Sequence, residues 1–154
     1  MPSYAVVPAT LDHAAVLAVS MREADAQEAW AACRFRPLEA LTISVLASRD
    51  PKAGLVDGRV ACMFGVAIPS LLGMARPWLL GSNELPRHSR IFLRRSRAYV
   101  EGLKVEFPYM GNYVDARNTE SIRWLRWLGF NIYRPAPFGP DAIPFHFFDY
   151  DHAS

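Results

Sequence analysis

Glu84 and Asp115 are carboxylates near the ends of apolar, strand-like stretches, where a side chain can reach a bound substrate and act as a general base. Each also has the character of a solvated turn residue. Tyr113 and Tyr133 offer phenols that could return a proton, although tyrosine is equally at home in a sheet. Arg87, Arg90, Arg94 and Arg95 crowd one short segment. At a helix start they would offer charge to an anion, and along a helix flank they would form a solvated basic face. Asn118, with Ser121 three residues on, has the spacing of a helix N-cap and its N3 partner. His13, His88, His146 and His152 are scattered. Neither they nor Cys33 and Cys62 show the spacing of a metal site or a nucleophile–base pair.

The elements that must position these groups can be read from periodicity and punctuation. Tyr4–Pro8 predicts a short strand. Thr10 or Asp12 caps a helix whose Leu11, Ala14, Leu17, Ala18 and Met21 recur at helical spacing. Pro37 suits the first turn of a second helix carrying Leu38, Leu41, Val45 and Leu46. Asp57-Gly58 between β-rich flanks predicts a tight hairpin, whose second strand is so apolar that it should be central and covered on both faces. The uncharged run from Val60 to Ala75 is interrupted by Gly65, Pro69 and Gly73. It falls short of the roughly 20 residues of a membrane span and reads as a buried strand followed by a loop.

Arg76–Ser82 predicts another strand. A long helix follows from about His88 to Phe107, with Phe92, Tyr99 and Leu103, together with Ile91 and Ala98, as its inner stripe. "YMGNYVDA" is the next strand, and Asn118 to Leu128 the next helix, stopped by Gly129 in a left-handed cap. On that helix Trp124 and Trp127 share a side with Leu128, so one ring should pack on the sheet while the other offers a partner anchor. "FNIYR" and "PFHFFDY" close the chain as two strands, with His146 facing the surface. The order is β-α-α-β-β-β-α-β-α-β-β, which predicts a mixed α+β domain with a mostly antiparallel sheet flanked by helices.

The chain's 154 residues suit a single domain, expected to span 1–154, with a substantial core. With 51% hydrophobic and 21% charged residues it has the composition of a soluble globular protein. A net charge of +2 is too balanced to point to nucleic acid. The start, "MPSYAVVP", has no basic region leading into an apolar stretch, so no signal peptide is expected. Two cysteines without a framework point to a reducing compartment.

This order, together with "NTESIRWLRWLGF" from Asn118 to Phe130, resembles the GNAT superfamily of acetyl-CoA-dependent N-acyltransferases. A narrower set of segments is similar to the GNAT-like internal virion protein A group of short-tailed phages: "PWLLGSNEL", "NYVDARN", "SIRWLRWLGF" and "PFGP" followed by "PFHFF". The GNAT resemblance implies acetyl-CoA as cofactor, with its pyrophosphate at the start of the long helix around Arg87, Arg90 and Ile91, and with Asn118 and Ser121 beside it. In the family pattern two glycines keep that helix start open. Here Arg90 and Phe92 fall on those positions, side chains expected to crowd a phosphate bound to the backbone. The family's usual acid is a tyrosine four residues before the terminal glycine, and Leu125 holds that place. The resemblance leaves Glu84, Asp115 and Tyr133 as the catalytic candidates.

Two functions follow as expectations. In the first, the chain is a phage-encoded, catalytically degenerate GNAT-fold protein that binds a virion or host protein, in the cytoplasm of the infected bacterium or in the virion. In the second, it is an active N-acetyltransferase with an atypical phosphate loop.

Overall fold

The computed structural model describes residues 1–68 and 74–153. β1 (Tyr4–Pro8) leads to α1 (Leu11–Val19), α2 (Glu23–Cys33) and α3 (Pro37–Ala47). β2 (Ser48–Val56), β3 (Arg59–Ala67) and β4 (Arg76–Gly81) follow, then a 3-10 turn at Leu85–His88 and the long α4 (Ser89–Glu106). β5 (Tyr109–Asp115), α5 (Thr119–Trp127), β6 (Asn131–Ile132), β7 (Ala136–Phe138) and β8 (Ile143–Asp151) complete the chain. The architecture is a mixed α+β domain, as the element order predicts. The loop expected around Pro69 and Gly73 lies outside the described residues.

Local signals account for much of this. Thr10 caps α1, its hydroxyl accepting from His13 N–H while His13 Nδ1 accepts from Thr10 N–H, both at 3.1 Å. Pro37 opens α3. Asp57 and Gly58 both adopt positive φ, 49° and 79°, as a two-residue hairpin of matching twist requires. Gly129 takes φ 94° just beyond α5. β3 is central, paired antiparallel with β2 and β4, and buried along most of its length.

Two four-stranded sheets result, β1-β2-β3-β4 and β5-β8-β6 with β7 also on β8, each antiparallel. One face of the first sheet packs on α1 and α3 through Ala53, Met63 and Leu80. The other face packs on α4 through Cys62, Val56 and Phe92. The stripe of α4 differs in one respect from the expected one. Ala98 is exposed, and Val100 is buried in the core with Leu103 and Ile122 of α5.

Among the described residues the sheets meet at one parallel bridge, Ala75 to Met110, where Gly111 N–H donates to Ala75 O at 3.0 Å. One step further, the link is a side chain: Asn112 Nδ2 donates to Pro77 O at 3.2 Å. Beyond these links no backbone pairing joins β4 and β5 among the described residues.

α2 and β7 have no counterpart among the expected elements, and "FNIYR" shrinks to a two-residue strand. The sequence of α2, "EADAQEAWAAC", lacks an apolar stripe, so periodicity misses it. Its alanines and glutamates are nonetheless strong helix formers, and that propensity was the available signal. Its far end is fixed by the loop after β7. Arg34, at the left-handed cap, donates to Asp141 at 2.5 Å, and Gly139 lies against the last carbonyls of α2. A Cβ on Gly139 would sit 2.1 Å from Ala31 O, on a backbone with φ 76°. Gly139→Ala should therefore lower unfolding free energy by at least about 2 kcal/mol, read from a denaturant midpoint at unchanged slope.

Candidate active site

A cavity of about 360 Å³ runs through the gap between β4 and β5. α2 and α3 line it with Ala29, Ala32 and Ile43, and α4 and α5 with Tyr99, Val100 and Leu125. Strand residues Trp78, Tyr113 and Phe138 complete much of the wall. The cavity thus reaches helices on both sides of the sheet, as a passage joining two reactants would. Its lining is mostly apolar, so each polar group in it carries weight.

Glu28 is the acidic group on that lining. Asp25, Glu28, Ala29 and Ala32 share one face of α2, since they follow one another at i, i+3, i+4 and i+7. Glu28 Oε1 accepts from Asp115 N–H at 2.8 Å and from Asn118 Nδ2 at 3.3 Å. Burial, reinforced by the nearby Asp25 and Asp115 charges, pushes its carboxyl from the ordinary 4.5 up to about 8, against the pull of those two donors. It is partly accessible and lines the cavity. A carboxylate whose proton affinity lies near neutral is matched to general-base work.

Behind Glu28 lies a closed polar cluster. Asp25 accepts from Gly81 N–H at 2.9 Å and from Asn118 Nδ2 at 3.2 Å, and faces Arg22 at 3.4 Å. Arg22 in turn reaches Asn118 Oδ1 and Glu120, each at 3.5 Å. Burial raises the Asp25 carboxyl above its usual range, with Arg22 opposing. Through Gly81 and Asn118, Asp25 ties the end of β4 to the start of α5, spanning the strands where they have parted. Among the described residues no buried side-chain nitrogen or oxygen lacks a partner.

The expected residues distribute unevenly around this geometry. Asp115 is buried behind Glu28, its carboxylate held by Arg117 at 2.7 and 3.0 Å, and its backbone N–H donates to Glu28. Glu84 does not line the cavity. It pairs with Arg59 at 2.7 Å, and that bond lowers its proton affinity, the reverse of what a base at neutral pH requires. Tyr133 is exposed and donates to Asp149 at 2.9 Å, a bond that raises its pKa. Asn118 makes no capping bond; its amide turns inward to Asp25 and Glu28 instead. Ser121 lines the cavity rather than supporting a cap. Arg87, Arg90 and Ile91 stand at the start of α4, outside the cavity lining.

That helix start also revises the crowding expected there. Phe92 is buried, its ring against Gly54 and edge-on to Tyr4 at 5.9 Å, so its bulk is spent in the core. Arg90 is exposed. His88, just before the helix, bonds the Tyr4 hydroxyl at 2.8 Å. Leu125 does line the cavity, where it has no proton to give. Trp124 lines it too, whereas Trp127 is exposed under the Arg97 guanidinium, 3.8 Å from the ring centre. His146 bonds Tyr133 O at 2.7 Å. Cys33 is an exposed thiol; Cys62 is buried, which pushes its thiol up to about 12 and removes it as a nucleophile. Among the described residues, no group of three or more His, Cys, Asp or Glu could hold a metal, and no helix is long and apolar enough to cross a membrane.

No protein-family model and no curated protein matches the sequence. Solved structures do match the fold. The Ard1 protein of Thermoplasma volcanium superposes with a TM-score of 0.70 at 15% identity, covering 95% of each chain. The yncA protein of Salmonella typhimurium, solved with its cofactor acetyl-CoA, gives 0.67 at 16% identity over 97% of this chain and 94% of that one. An acetyltransferase of the GNAT family from Streptococcus pneumoniae gives 0.59 at 10% identity over 96% and 98%. The chain therefore has the fold of these acetyltransferase structures, the GNAT fold.

Proposed function

We propose that this chain is an acyl-CoA-dependent N-acyltransferase in which Glu28 is the general base. The observation that carries this reading is the raised carboxyl of Glu28 on the wall of a cavity that passes between β4 and β5. The apolar passage suits an acyl thioester arm, and acetyl-CoA is the cofactor named for the yncA neighbour. Arg87 and Arg90, exposed near the start of α4, would meet its phosphates. The bound thioester supplies an activated acyl carbon.

This chain's residues handle the proton. Glu28 would accept the proton that an amine gives up on acylation, with the thiolate as the leaving group. Glu28 then returns that proton to water. Leu125 is compatible with this course, because the leaving group is a thiolate. A thiol with an ordinary pKa of about 8.5 leaves far more readily than an amine, whose conjugate acid lies near about 10.4, so the base matters more than the acid. Calorimetric titration with acetyl-CoA should give binding heat that weakens with salt, and thiol release should follow on adding an amine. No heat and no thiol release would overturn the reading.

Leu125 and the missing glycines favour a second reading, a phage-encoded, degenerate GNAT-fold protein that binds a virion or host protein. It would give that silent titration, and the protein would be recovered with its partner from infected cells.

A further inference from the structure

We infer that the acceptor is a monoamine carried on an apolar, ring-sized body, and not a polyamine or an amino sugar with several charges. This rests on the acyltransferase reading above and specifies its second substrate. The side of the cavity reached from α2 and α3 is walled by Ala29, Ala32, Phe35, Ile43, Tyr113 and Phe138. Tyr113 and Phe138 stack at 4.2 Å with planes 23° apart, and Phe145 leans on Phe138 at 5.0 Å, which presents a continuous aromatic surface. A planar or branched apolar body gains from burial against such a wall.

Charge excludes the alternative. Among the described residues lining the cavity, Glu28 is the one carboxylate, and the other charged group is Arg76, a cation that repels a second ammonium. Asp25 and Asp115 cannot serve, since Arg22, Gly81 and Asn118 occupy one and Arg117 the other. A second ammonium in this passage would lose its hydration without a counter-charge. Volume agrees: about 360 Å³, shared with an acyl arm, is at the small end for a ligand site and leaves room for about one ring.

The test measures 2-phenylethylamine against spermidine, both by calorimetry without thioester and by thiol release with acetyl-CoA. Phenylethylamine should bind at least about tenfold more tightly and, where turnover occurs, show at least about tenfold higher kcat/KM. Phe138→Ala should weaken phenylethylamine binding about tenfold. Ala32→Asp, which adds a second carboxylate to the wall, should shift the preference toward spermidine by a similar factor. Phenylethylamine binding without turnover supports the pocket and removes the acyltransferase reading. Equal or tighter binding of spermidine, or no binding of phenylethylamine, overturns the inference whether or not turnover is seen.

Discussion

Glu28→Gln should reduce amine-dependent thiol release by about 10²–10⁴-fold while leaving the fold intact, the usual contribution of a positioned general base. Glutamine keeps the oxygen that accepts from Asp115 N–H and Asn118, so the loss reports the missing proton acceptor and not a collapsed site. In the unaltered protein kcat should rise with pH toward about 8 and level beyond it, as the carboxyl loses its proton. The variant should lack that inflection. A full-strength profile in the variant would remove Glu28 from the chemistry.

The same carboxyl has an opposite signature in stability. Its folded pKa of about 8 lies above the ordinary 4.5. Between those values the folded protein holds a proton that the unfolded chain has released, so stability declines as pH rises through that window. At about 1.4 kcal/mol per unit, the decline is at most about 5 kcal/mol. Glu28→Gln should therefore match the unaltered protein near pH 5 and be the more stable of the two at pH 8.5, by denaturant unfolding at both. Gain of stability with loss of activity is the expected mark of a strained functional group.

Asp25→Ala should cost about 3–5 kcal/mol of unfolding free energy, the scale for breaking a buried ion pair from one side. It would strand the Gly81 N–H, take one of the two acceptors from the Asn118 amide, and leave Arg22 buried with Glu120 as its remaining opposite charge. Asp25→Asn preserves shape and should cost less, which makes it the informative variant for the site. Removing the Asp25 charge removes one of the two main causes of the raised Glu28 pKa. The inflection in the pH–rate profile should then move to lower pH. An unmoved inflection would separate the two carboxylates and confine Asp25 to holding β4 and α5 together.

How much was legible in advance depends on the range of the interaction. The hairpin at Asp57-Gly58, the Thr10 cap and the Gly129 stop are written in neighbouring residues, because each satisfies a local backbone demand. The apolar run of β3 announced its central place, since only a strand covered on both faces can be apolar throughout. α2 escaped because a helix held by its ends and a polar cluster needs no apolar stripe. Asn118 shows the limit in one residue: its cap position was legible, but its amide serves Asp25 and Glu28, on a helix some ninety positions earlier.

The sequence by itself thus determined most of the elements, though not α2 or β7, and through their order the mixed α+β architecture, since hydrophobic period, caps and turns act over a few residues. Only the tertiary structure decided which carboxylate has the proton affinity of a base near neutral pH. Glu84 and Glu28 are the same residue type with the same intrinsic acidity. The first is half-buried and bonded to Arg59, which stabilises its charge. The second is desolvated beside Asp25 and Asp115, which disfavours its charge and sets it near neutral. That difference comes from neighbours brought together by folding, and no local pattern encodes it.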